Sequence, residues 1–164
     1  MWNVLVLVVM ISLTTYYAMS DTDNVRVWEE ARSEQLADSM YFYRLGAIRY
    51  FTDHPSMQTV DAGTLKAGGY LPEWSQLNNQ PETSIWASYM NSAGRIYVYA
   101  ASVPPPDVIS HVMDLSHNTV LAGVFRTGDT TLYSPVYGDT NIPLPAPSEV
   151  LIPNGSPVWV AMRD

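Results

Sequence analysis

VRVWEEARSEQLADSMYFYRLGAIRYFTDHP, residues 25–55, is the stretch on which the fold turns. It holds one glycine, Gly46, and no proline before Pro55, so nothing in it stops a helix. At about 100° per residue, Val25, Trp28, Leu36, Met40, Tyr43, Ala47, Tyr50 and Phe51 fall on one stripe, the pattern of a helix with a buried face. Glu30, Glu34 and Asp38 form an acidic ridge opposite, and Arg26 stands where it can pair with Glu30 one turn on. Past Met40 the far side turns apolar as well, with Tyr41, Phe42, Leu45 and Ile48. The helix is therefore expected to start half-solvated and to finish inside a domain, over roughly 40 Å in all. Ser20–Asn24 (SDTDN) offers N-cap oxygens for its start, and Pro55 ends it. Arg32 falls in the apolar stripe, while Arg44 and Arg49 lie on the half that is apolar all round. A guanidinium so placed needs a carboxylate or carbonyl oxygens, from its own domain or from a partner.

Upstream, MWNVLVLVVMISLTTYYAMS (residues 1–20) carries no charged side chain. Trp2 to Met19 just reaches the length of a membrane-spanning helix. Val4, Leu5, Leu7, Val9 and Ile11 supply the apolar body, and Trp2 and the Tyr16-Tyr17 pair mark its two interfaces. A cleaved signal peptide is the competing reading, since small residues at Ala18 and Ser20 precede a potential cut before Asp21. The basic n-region such a peptide needs is missing, and so are the processing point and early glutamate of a pilin stalk. The stretch reads best as an uncleaved anchor over residues 1–20, followed by one domain over 21–164.

Downstream, residues 56–82 read as loop and short turns, broken by Gly63, Gly68, Gly69, Pro72 and Pro81. Residues 84–90 and 95–102 read as strands of a hairpin, and 104–118 as a short helix that starts at prolines and ends near Asn118. Residues 119–126 and 130–137 make a second hairpin around Gly128, IPLPAPSEVLIP runs extended across the surface, and 158–162 closes as a strand. The expected class is α+β: an N-terminal transmembrane helix continues into a long amphipathic helix, which packs on an antiparallel sheet beside one further short helix.

Composition narrows the function. A net charge of −8 with a single lysine, Lys66, disfavours nucleic acid and anionic lipid headgroups, both of which need a basic face. The absence of cysteine removes disulfides, thiolate catalysis and thiolate metal sites. The one constellation with chemical interest is His111, Asp114 and His117, an H-x-x-D-x-x-H run on the short helix. Its spacing is loose for a metal, and a histidine near a helix C-terminus has a local electrostatic role. A hydrolytic reading of Ser110, His111 and Asp114 fails on helical spacing, and His54 has no partner in view. No phosphate loop or nucleophile elbow occurs. No catalytic residue, cofactor or metal is assigned.

Three ordered stretches carry a resemblance: MYFYRLGAIRYFTDHP (40–55), GRIYVYA (94–100) and SPVYGDTNIPLPAP (134–147). Together with the short apolar N-terminus they resemble the PilM family of small proteins, which belongs with the type IVb thin pilus of conjugative plasmids. That family is distinct from the cytoplasmic actin-like protein of the same name in other pilus systems. The positions that match are Tyr43, Arg44, Ala47 and Tyr50 in the helix, Tyr97 to Tyr99 in a strand, and Pro135 to Gly138 ahead of the prolines. The resemblance implies a bacterial inner-membrane protein with a single span and its C-terminal domain in the periplasm. It implies a part in pilus assembly or function during conjugation, without enzymatic activity. Partners would be other pilus-assembly proteins, with lipid around the N-terminal helix, and a homo-oligomer is left open. Arg32, Tyr43, Arg44, Arg49, Tyr97, Tyr99 and Tyr137 are the candidate interface residues. A minor pilin or pseudopilin-like subunit is the nearest alternative, and a binding module released after Ser20 the next.

Overall fold

A computed structural model of the chain describes residues 26–105 and 107–163 in full and, over 2–25, the helical backbone alone. Helix α1 runs unbroken over Trp2–Asp53. The expected cap at Ser20–Asn24 therefore starts no helix: with no proline there, the backbone carries straight through. Pro55 ends α1 as expected, and the His54 N–H makes the last helical bond, to the Tyr50 carbonyl at 2.8 Å. The anchor reading of Trp2, Val4, Leu5, Leu7, Val9, Ile11, Tyr16 and Tyr17 rests on side chains outside the described residues. Among the described residues, no helix is long and apolar enough to cross a membrane.

Residues 26–32 are all exposed and Ser33 is the first buried residue of α1, although Arg26, Glu29 and Glu30 already line an open cleft with Asp107, Ser110 and His111. From there Ala37, Met40, Tyr43, Ala47, Tyr50 and Phe51 are buried, at the three- and four-residue spacing of one helical face. Gly46 lets the chain after α1 come close, because a Cβ there would sit 3.2 Å from Leu71 and from the Tyr70 carbonyl oxygen.

The segment expected to be loop contains short elements. Strand β1 (Thr59–Val60) leads into α2 (Ala62–Ala67), where Asp61 caps the helix by accepting the Thr64 N–H at 2.8 Å. Helix α3 (Gln76–Asn79) is capped in the same way by Ser75. Strands β2 (Trp86–Met90) and β3 (Arg95–Ala100) form the first hairpin, with Gly94 at φ +76° in the turn. Helix α4 (Val108–Leu115) stops where His117 and Asn118 adopt left-handed backbone, each at φ 53°. Then come β4 (Ala122–Val124), β5 (Thr131–Ser134), β6 (Gly138–Pro143) and β7 (Pro157–Met162).

All seven strands join one antiparallel sheet in the order β1-β2-β3-β7-β4-β5-β6. Alternation along the strands sends side chains to two separate cores. Trp86, Met90, Ile96, Val98, Ala100, Ala122, Trp159 and Ala161 face the helices. Tyr89, Tyr97, Tyr99, Leu132, Val158 and Val160 face the other way. There the proline-rich run does more than cross the surface. Ile142, Leu144, Val150 and Ile152 close a second core over the back of the sheet.

Candidate interaction surface

The seven residues singled out as an interface separate into three groups. Tyr43, Tyr97 and Tyr99 are buried, which removes them from any surface a partner could touch. Tyr43 Oη donates to the Val60 carbonyl oxygen and lies 3.3 Å from Ser88 Oγ, so it ties α1 to β1 and β2. Burial pushes its pKa well above the usual phenol value. Tyr97 Oη donates to the Pro143 carbonyl oxygen at 2.8 Å, and burial raises the pKa of Tyr99. Tyr43 and Tyr97 each serve the domain as amphipathic core residues, the ring buried and the hydroxyl on a backbone oxygen.

Arg32, Arg49 and Tyr137 are exposed. Arg32 does not enter a buried apolar stripe as expected, since Ser33 is the first buried residue of α1. It edges a crevice of about 210 Å³ between α1 and α3, beside Gln35, Gln76 and Gln80. Tyr137 sits with Val136 on the exposed turn between β5 and β6.

Arg44 forms the third group alone. It is half-buried, and its guanidinium carbon lies 4.9 Å from the centroid of the Trp159 ring. One Nη donates to the Val160 carbonyl oxygen at a long 3.5 Å, and the buried Nε has no acceptor. Its partners among the described residues are thus a ring and a carbonyl, not a carboxylate. Burial lowers its pKa from the ordinary arginine value, with Tyr41 acting the other way.

His111, Asp114 and His117 do share one site: with Glu34, Asp38, Tyr41 and Leu115 they line an open cleft of about 510 Å³ between α1 and α4. Among the described residues, no three carboxylate or imidazole groups are placed to hold a metal ion. The open cleft gathers the carboxyl groups of Glu34, Asp38 and Asp114.

Two exposed aromatic residues complete the surface. Trp28 on α1 is 76% exposed, with Val27 beside it at 64%. Helical periodicity placed Trp28 on the buried stripe, but the stripe meets the body only from Ser33 on. Trp74, 72% exposed, rests edge-on against Phe42 with ring centroids 4.8 Å apart. Sequence reasoning passed over Trp74. The signal available was a tryptophan between Pro72 and Ser75, in a segment too short to bury it.

Comparison with known proteins adds the remaining evidence. A family model described as PilM matches residues 8–160. No curated protein matches the chain. Among solved structures, the crystal structure of a putative protein PilM from Escherichia coli B7A superposes with a TM-score of 0.50 at 18% identity, covering 80% of this chain and 92% of that one. At that identity the likeness speaks to the fold.

Proposed function

From the premise that the chain belongs to the PilM family, we propose that it is a non-enzymatic, inner-membrane component of a type IVb pilus, acting by contact in pilus assembly or function during conjugation. On this reading residues 1–20 lie in the membrane, and the domain stands in the periplasm. The observation that carries it is the continuity of α1. One helix leads from the apolar N-terminal stretch, through the exposed turns at 26–32, into the buried face of the domain. Such a connection holds a body at a set height from a bilayer. Exposed Trp28, Trp74 and Tyr137 give that body aromatic contact points of the kind enriched at protein interfaces.

Intact-mass measurement on a detergent extract of membranes, with the soluble periplasm in parallel, tests location. A full-length mass in the membrane fraction supports the anchor. A mass beginning at Asp21 in the soluble fraction overturns it in favour of a released module, and an N-terminus cleaved and methylated favours a minor pilin. Deletion of the chain tests the role: piliation and conjugation should fail, and unchanged transfer would remove the proposal.

A further inference from the structure

We propose that Arg44 is the centre of a docking site for a carboxylate side chain from a partner protein, with the Trp159 ring as its floor and Tyr41 as its wall. The proposal rests on the pilus-assembly reading for the existence of a partner, and on the local geometry for its chemistry. A half-buried guanidinium is ordinarily matched by a carboxylate or by several carbonyls, since removing its water costs free energy that one weak acceptor does not return. Arg44 has one bond at 3.5 Å and a buried Nε without an acceptor. The chain has sixteen acidic residues against eight basic ones, yet none of the described acids pairs with it. The Nε is itself buried and out of a partner's reach, so an incoming carboxylate would bond the Nη atoms and supply the opposite charge, in a setting of reduced dielectric where each charged hydrogen bond counts for more.

The surroundings fit such an occupant. The guanidinium carbon stands 4.9 Å from the Trp159 ring centroid, and the Tyr41 ring lies 6.1 Å from Trp159. Arginine, tryptophan and tyrosine are the residues that dominate binding energy at interfaces. Tyr41 also borders the cleft lined by Glu34, Asp38 and Asp114. A phosphate, with more charge than a carboxylate, is repelled by those acids. A protein segment bearing one Asp or Glu for Arg44 and a basic residue for the cleft matches both signs at once.

The test uses the full-length chain, produced alongside its pilus proteins, with p-benzoylphenylalanine replacing Tyr41. Irradiation should give a crosslinked peptide that contains an Asp or Glu. Arg44→Gln should reduce its yield about tenfold, the loss expected when one member of a charged pair is truncated. Replacing that partner carboxylate by Arg, together with Arg44→Glu, should restore both crosslink and piliation. Should Arg44→Gln prove unfolded by thermal melting, Arg44→Lys takes its place, keeping charge and stem but losing the fork. A crosslink that is absent, that goes to lipid, or that is unchanged by Arg44→Gln or Arg44→Lys in a folded protein overturns the proposal. If deletion of the whole chain abolishes piliation while Arg44→Gln leaves it intact, the docking site fails and the assembly reading survives.

Discussion

Tyr97 donates its hydroxyl to the carbonyl oxygen of Pro143 at 2.8 Å, and so pins the proline-rich segment to the middle of the sheet. The Arg95 guanidinium in turn donates to the same hydroxyl at 3.3 Å. Tyr97→Phe keeps the ring but leaves a carbonyl unpaired beneath the cover of the second core. It should cost about 1–2 kcal/mol in urea unfolding. A loss below the error of the measurement would mean that water replaces the bond freely.

Stability should fall in alkali, and Tyr43 should account for much of the slope. Burial holds the folded phenols of Tyr43 and Tyr99 neutral to higher pH than their unfolded forms. An unfolded tyrosine ionises near pH 10, so above that point the unfolded chain releases protons that the folded one retains. The stabilisation is fully present below about pH 10 and is lost as pH rises toward the folded values. Unfolding midpoints should stay level up to about pH 9 and fall between about pH 10 and 12 in the native chain, and less so in Tyr43→Phe. Parallel curves would refute the assignment.

Gly123 on β4 has no room for a side chain, because a Cβ there would collide with the Tyr133 carbonyl oxygen on β5. Gly123→Ala must push β4 and β5 apart, and should destabilise by about 3 kcal/mol or more. A melting temperature equal to that of the native chain would show that the strands can separate without loss.

Trp28→Ala separates surface from core. With the residue 76% exposed, the melting curve should move by less than about 0.5 kcal/mol. Piliation should nevertheless drop in cells carrying the variant. Wild-type piliation would remove Trp28 from the contact surface, and a large loss of stability would show that it packs against something after all.

Much of this architecture is legible in the sequence where an element is long enough to repeat its signal. The stripe from Met40 to Phe51 and the hairpin of β2 and β3 lie close to where periodicity puts them. What escapes is short or is decided at a distance. Two residues of β1 are strand only because β2 offers them a partner, and α2 and α3 owe their existence to Asp61 and Ser75 as caps. Three tyrosines with the look of interface residues are core: Val60 and Ser88 reach Tyr43, Pro143 reaches Tyr97, and Tyr99 is buried in the second core. The arginines show the same limit. Sequence marks Arg44 as needing partners, but only the fold shows that Trp159 and Val160 are the ones it gets.

The sheet order bears on the timing of biosynthesis. The last strand in chain order, β7, lies between β3 and β4 and alone joins the hairpin of β2 and β3 to β4, β5 and β6. Until β7 has been made the two halves share no backbone ladder among the described residues, and each core lacks two of its residues, Trp159 and Ala161 in one and Val158 and Val160 in the other. The sheet must therefore wait for β7 before its two parts join, and any stop before Pro157 leaves two unjoined half-sheets with exposed edges.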